Sequence, residues 1–527
     1  MSRPGSRWRA LAALALAAFA LTACGPKSQF HIVAGSEQKS LEPLVMDFCS
    51  KQHVQCVIDY KGSLDIGQMI ASPDASNVDA VWPASSLWIE MFDKQHRVKD
   101  MKSIAQSPVI LGVKLSKAKE LGWTGGKPVR MDDILQAVQA GKLTFLMTSA
   151  TQSNSGASAY LAMLAATVGD GSRLDAATLN DEAAKAKVKA LLGGVARSSG
   201  SSGWLGDLYV KTAKEGHPFD AMWNYEFMLK QTNGELAQAG QEPLYAIYPA
   251  EGSAYADAPL GYVDHGQPQA SHDFFTKLQA YLLSPDAQAR VADDGRRTAP
   301  GVAAQPKPDP SWNFSPGRLV PSIALPEPAV IMQALTLYQE VLRRPSLTAI
   351  CLDFSGSMQG AGEQGVKAAM TDILTPSLAS QNLIQWTPQD RIIVIPFDAN
   401  VRWVADADGS PAAQAQLLTR INGEEAGGGT DMYACAEKAF ATMQPYLAAP
   451  NSNYLPAVVI MTDGRSDDRQ DFPQIWRTEG RQTPIFGVTF GDADPEQLNN
   501  VANLTQARVF DGHSDLVAAF RSVRGYN

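Results

Sequence analysis

Asp353-Phe354-Ser355-Gly356-Ser357 follows an apolar run from Leu347 to Leu352, the length and character of a buried strand. A carboxylate and two hydroxyls at alternate positions then leave the strand end in a glycine-containing turn. Oxygens of this kind suit a hard cation such as Mg²⁺, which takes oxygen ligands in near-octahedral geometry and keeps several waters. Ser355 and Ser357 could coordinate directly, and Asp353 could act through water or by holding the other ligands in place. Gly427-Gly428-Gly429-Thr430-Asp431 is a flexible loop that offers a further hydroxyl, on Thr430. Val458-Val459-Ile460-Met461-Thr462-Asp463-Gly464 is a second apolar strand ending in a carboxylate, Asp463.

These three pieces, in this order and at strand ends within one α/β pattern, resemble the von Willebrand factor A domain and its metal-ion-dependent adhesion site. The resemblance implies a doubly wound, Rossmann-like sheet over residues 345–527. It implies Ser355, Ser357 and Thr430 as direct ligands of Mg²⁺ (or Mn²⁺), with Asp353 and Asp463 acting mostly through water. It also implies a partner protein that offers an Asp or Glu carboxylate to the metal. The elements that must position these groups are readable too. Arg391 to Phe397 and Pro484 to Phe490 read as buried strands, and Val401 to Val404 as an edge strand. Helices are expected at 364–374, 412–421, 431–443, 495–504 and 516–523, an alternation that places ligands at the carboxyl ends of the strands.

The chain opens with Arg3, Arg7 and Arg9, then an apolar core from Leu11 to Leu21, too short to span a bilayer. Leu21-Thr22-Ala23-Cys24 resembles the bacterial lipobox. That implies a signal peptide at 1–23, a mature start at acylated Cys24, a short tether at 24–28, and a place in the cell envelope. The membrane would be reached through the lipid alone. Of the five cysteines, four then remain. Cys49 and Cys56, at the end of a helix and the start of a strand, are placed for a short bridge. Cys351 and Cys435 either meet beneath the metal turn or stay as two buried thiols.

Between residues 29 and 299 a strand, a small polar turn and a helix follow one another three times. The turns are Gly35-Ser36-Glu37, Lys61-Gly62-Ser63 and Pro83-Ala84-Ser85-Ser86. A parallel sheet with its turns at one edge follows. Farther on, a run of hydroxyls and amides from Thr148 to Gly156 opens a helix, and a strand from Asp220 to Trp223 ends in Asn224-Tyr225-Glu226. With Tyr248-Pro249-x-Glu251-Gly252 and Leu283-Ser284-Pro285-x-Ala287-Gln288, the region resembles the two-lobed periplasmic solute-binding proteins. The resemblance implies lobe one at 29–113 plus 245–299, lobe two at 114–244, and a ligand held between them. Ser36, Ser63, Ser85, Ser155 and Tyr225 are the candidate contacts to a small polar solute. Each serine also has the chemistry of a helix cap. Residues 300–328 are rich in proline and read as an extended linker of limited flexibility, and 329–344 as a connecting helix.

Hydrophobic residues make up 45% and charged residues 19% of the 527, which is globular composition. A net charge of −9 argues against a general nucleic-acid binder. No Gly-x-Ser-x-Gly elbow or His-Glu-x-x-His helix occurs. The phosphate-loop-like stretch from Gly122 to Pro128 has the wrong spacing. Catalysis has no positive support. The reading is an exported, lipid-anchored binding protein that engages a partner through its metal, with the two-lobed module as a second recognition surface. The alternative is a solute receptor of a transport or sensing complex, with the metal-bearing domain as its docking part.

Overall fold

The computed structural model describes residues 29–168, 173–480, 483–491, 495–513 and 516–526. Cys24 and the leader before it lie outside the described residues. Among those described, no helix is long and apolar enough to cross a membrane.

Lobe one is built on β1 (Gln29–Gly35), β2 (Gln55–Lys61), β3 (Ala80–Trp82) and β4 (Val98–Ser103). Phe30, Ile32 and Ala34 alternate inward along β1 and pack with Leu44 and Phe48 of α1 (Glu42–Lys51). The three polar turns lead into helices, among them α2 (Ser63–Ala71). A disulfide joins Cys49 of α1 to Cys56 of β2. The ten-residue β5 (Ala105–Lys114) runs out of this lobe, its first residue in the lobe-one core and Val109 to Val113 in that of lobe two.

Lobe two adds β6 (Phe145–Thr148), β7 (Val195–Ser199), β8 (Ala221–Tyr225) and β9 (Leu244–Ile247). The chain then returns through β10 (Tyr255–Ala256), β11 (Pro259–Val263) and β12 (Arg297–Thr298). The sheets run β2-β1-β3-β11-β4 and β10-β5-β8-β6-β7, with β9 and β12 also on β5. The hydroxyl-rich turn after β6 opens α3 (Asn154–Val168), buried over most of its length.

The proline-rich stretch runs extended, yet it is fastened to lobe two. Trp312 and Phe314 stack with centroids 4.7 Å apart and share a core with Leu208 and Tyr209. Gly252 has φ +118°, and a Cβ there would come 2.7 Å from the Pro321 oxygen, so only glycine admits this close approach. The helix Pro328–Leu337 continues into a π-helical turn, Tyr338–Leu342. Tyr160 of lobe two donates to the Ala334 oxygen at 2.8 Å, and Gln339 donates to the Gln385 oxygen at 3.0 Å.

The last domain has β13 (Ser346–Asp353), β14 (Arg391–Phe397), β15 (Ala405–Asp408), β16 (Leu455–Thr462), β17 (Ile485–Thr489) and β18 (Val509–Asp511). Their order is β15-β14-β13-β16-β17-β18, parallel except for β15. Every residue of β13 is buried, as a parallel strand covered on both faces requires. Helices cover both faces; α4 (Met432–Leu447) packs on one and α5 (Leu516–Arg524) on the other. A disulfide joins Cys351 of β13 to Cys435 of α4.

The edge strand lies at 405–408, not at Val401 to Val404. Val401 makes only an isolated bridge to Phe397. Arg402 and Trp403 turn to Glu424 instead, while Asp406 holds the edge by pairing with Arg391.

Candidate functional site

Two strand ends, those of β13 and β16, and the loop that opens α4 bring the five singled-out oxygen-bearing residues together; the loop with Thr430 follows the helix Pro411–Asn422 rather than a strand. The Ser355 backbone N–H donates to Asp353 Oδ1 at 2.7 Å, and Thr462 Oγ1 donates to Oδ2 at 2.5 Å. Ser355 Oγ and Ser357 Oγ lie 3.1 Å apart, and Ser357 donates to Asp463 Oδ1 at 2.7 Å. A Cβ on Gly464 would stand 3.0 Å from Thr430 Oγ1 and 3.5 Å from Ser357 Oγ, so these hydroxyls converge on a small open cradle. Burial pushes the Asp353 carboxyl up, and the nearby Asp463 charge adds to it, against the hydrogen bonds from Ser355 and Thr462. Two carboxylates and three hydroxyls, all oxygen and with excess negative charge, fit a hard divalent cation. Among the described residues, no cluster of three or more His, Cys, Asp or Glu could hold a metal. The hydroxyls must therefore supply part of any coordination shell here.

The loops that carry these groups are pinned by a residue the sequence reading missed. Arg402 sits just beyond β14 and pairs with Asp398 and Glu424, each at 3.0 Å. It also donates to the backbone oxygens of Phe354 and Gly427, both at 2.9 Å. One planar fork thus ties the turn carrying Ser355 to the loop carrying Thr430. Gly428 has φ +89°, and its oxygen accepts from the Gly356 N–H at 2.9 Å. Asp431 caps α4 by accepting from the Ala434 N–H at 3.0 Å. The only sequence signal for Arg402 is an Asp four residues earlier, which any surface pair would share.

The lobe residues behave differently. Ser36 is half-buried and lines a cavity of about 1290 Å³ that both lobes and the last domain enclose, with Asp59, Lys61 and Asp207. The other four candidates are buried in packing rather than open to a solute. Ser63 begins α2, and Ser85 caps the next helix through the Leu87 N–H. Ser155 exchanges hydrogen bonds with Thr148 at 2.8 Å and Ser202 at 2.7 Å. Tyr225 accepts from Asn154 Nδ2 at 3.1 Å, and Asn154 Oδ1 accepts from Trp88 of lobe one at 2.8 Å. The physical reason is that the lobes are pressed together. Leu64, Leu87 and Trp88 of lobe one share one apolar cluster with Tyr160 and Trp223 of lobe two.

Beside this contact Glu37 is buried, with Oε1 lacking a hydrogen-bond partner. Burial pushes its carboxyl up to about 7, against its own backbone and the Arg296 charge. The Arg296 guanidinium lies 3.6 Å over the Phe227 ring and donates to the Glu37 backbone oxygen at 2.6 Å.

The bacterial extracellular solute-binding protein family matches residues 31–297. The von Willebrand factor type A domain matches residues 348–465. No curated protein matches the chain. Solved structures similar to it include the periplasmic binding protein AfuA from Actinobacillus pleuropneumoniae, 14% identical, covering 58% of this chain and 94% of that one, TM-score 0.41. Iron-bound HitA from Pseudomonas aeruginosa is 14% identical and covers 59% of this chain and 98% of its own, with a TM-score of 0.43. The ferric binding protein from Campylobacter jejuni, also 14% identical, gives the same two coverages and a TM-score of 0.42.

Proposed function

The chain belongs to the bacterial extracellular solute-binding proteins and carries a von Willebrand factor type A domain, and from that premise we propose that it is a lipid-anchored capture protein. Its last domain engages a partner protein through a divalent cation. The observation that carries this is the convergence of Ser355, Ser357, Thr430, Asp353 and Asp463 from two strand ends and the loop before α4. Mg²⁺ or Mn²⁺ bound there supplies a charged position at which an outside Asp or Glu carboxylate is held. Ser355, Ser357 and Thr430 are neutral donors, so they leave much of the ion's charge for that carboxylate. Asp353 and Asp463 attract the ion, and Arg402 keeps the loops in register.

Calorimetry of the whole chain with Mg²⁺ tests this reading. Thr430→Ala should weaken binding by removing one ligand, and Asp463→Ala should weaken it by ~10–100-fold, the usual cost of losing a group that supports a metal from behind its ligands. Equal affinity in wild type and both variants would place any metal elsewhere. Capture of the partner should disappear in a chelator. The anchor is tested separately: Cys24→Ser should move the protein from the membrane fraction to the soluble one.

A second reading, a receptor for a small polar solute in a transport or sensing complex, draws on the family and on the cavity beside Ser36. A small molecule carried through native mass spectrometry of the chain from its own host would favour it.

A further inference from the structure

Two-lobed modules of this kind grip a ligand with the polar turns at their strand ends when the lobes close. Here those turns are already engaged. On lobe two, Gln152 Nε2, in the turn after β6, donates to the backbone oxygen of Arg521 at 2.7 Å. Ser198 Oγ, near the end of β7, donates to the Gly525 oxygen at 3.0 Å. Arg197 donates to the Gln506 oxygen at 2.9 Å. On lobe one, the Arg521 guanidinium donates to Asp65 at 3.2 Å and to Gln68 at 3.1 Å, both on α2. The Tyr526 ring meets Trp204 edge-on, centroids 4.9 Å apart, and a Cβ on Gly200 would lie 3.1 Å from that ring. A Cβ on Gly525 would overlap the Gln152 amide, so a larger residue there forces the two apart.

Most of these contacts are made by α5 or the two residues after it. Leu516, Ala519, Phe520 and Val523 belong to the core of the last domain, and Arg521 and Gly525 face the lobes. The helix therefore belongs to its own domain by one face and to the cleft by the other.

We propose that the cleft is a peptide site whose resident ligand is the chain's own C-terminal helix. The class of ligand it takes is a helical segment with a basic and an aromatic side chain and exposed backbone oxygens. The lobes match that chemistry: lobe two offers donors, Gln152 and Ser198, to backbone oxygens of the helix and its end, and lobe one offers acceptors, Asp65 and Gln68, to a guanidinium. The helix also straps the lobes, because they cannot part while Arg521 holds one and Gly525 the other. An outside segment of the same class enters only when the helix withdraws. The inference does not depend on metal binding, since these contacts lie away from the metal cradle.

The test uses the full chain in a chelator. The probe is a fluorescent, helix-stapled peptide with the sequence of residues 516–526. The variant Arg521→Ala/Gly525→Leu loosens the strap, and its circular dichroism melt checks the last domain. The peptide should bind this variant at least tenfold more tightly than wild type, and adding Asp65→Ala should remove most of that gain. Equal binding to wild type and variant, or binding to neither, overturns the proposal. Hydrogen exchange gives a second reading. Gln152→Ala/Ser198→Ala leaves the helix sequence intact and removes two hydrogen bonds worth roughly tenfold each. Amides of α2 and of the 149–153 turn should exchange about 100-fold faster in it. Unchanged exchange overturns the proposal as well.

Discussion

Replacing Glu37 by Gln should change how stability depends on pH. The carboxyl titrates at 4.5 when unfolded and at about 7 in the folded chain, and burial is the main cause. Between those values the folded state holds a proton that the unfolded state has lost. Stability from this group is therefore full below pH 4.5 and lost as pH rises through about 7. The difference corresponds to about 3 kcal/mol in all, of which about 2 kcal/mol is lost between pH 5 and pH 7. Glu37→Gln keeps the shape and cannot ionise. The assay is urea unfolding of both chains at each pH, read as the difference between them, so that the other titrating groups cancel. Glutamine should gain about 2 kcal/mol on wild type as pH goes from 5 to 7. A difference that stays constant over this range refutes the reasoning. It would mean that water or Arg296 keeps the carboxylate charged at no cost.

Other perturbations have equally definite outcomes. Cys351→Ala/Cys435→Ala opens a bridge between residues 84 apart; loop-closure entropy puts the loss near ~4.5 kcal/mol, measured by urea unfolding. Asp390→Asn breaks a buried pair in which Arg343 donates at 2.6 and 2.9 Å. It should cost about 3–5 kcal/mol, because the guanidinium is left buried and unpaired. Arg402→Lys keeps the charge but loses the planar fork. It should lower Mg²⁺ affinity by about tenfold in calorimetry while the thermal midpoint in chelator moves little.

The α/β architecture was readable because its strands are continuous apolar runs with small polar turns at one end. Leu347 to Leu352 and Val458 to Met461 have strand length and β-branched residues, which favour a strand over a buried helix. Asp353, Ser355, Ser357 and Asp463 stood out for the same reason, since each comes just after such a run, whereas Thr430 stood out through the glycine loop before it. The edge strand was misplaced because Ala405-Asp406-Ala407-Asp408 has no β-branched residue, whereas Val401 and Val404 do. What decides the matter is the Arg391–Asp406 pair, 15 residues apart. Arg402 was missed because its role lies in backbone oxygens of Phe354 and Gly427, which have no sequence signature. Ser63 and Ser155 lie in the first turns of helices, Ser85 caps one and Tyr225 ends β8, and all four are buried. Whether such a turn faces solvent depends on how two lobes and a distant helix pack, and no local pattern records that.

The placement of β13 has a mechanical consequence. The chain enters the last domain at the N-terminal end of this central strand, where Arg344 is fastened to the Val195 oxygen of lobe two at 2.5 Å. The turn with Ser355 and Ser357 leaves the opposite end, roughly 26 Å away for eight residues of extended chain. A pull on a partner held as proposed at the cation site would be divided between β13, which leads straight back to lobe two, and the segments carrying Thr430 and Asp463, so that part of it passes from β16 to β13 across the sheet. The neighbouring strands would be loaded in shear, with many hydrogen bonds sharing the force at once, rather than unzipped from an edge. Such a domain should yield first at the seam with lobe two, and its grip should outlast that slippage.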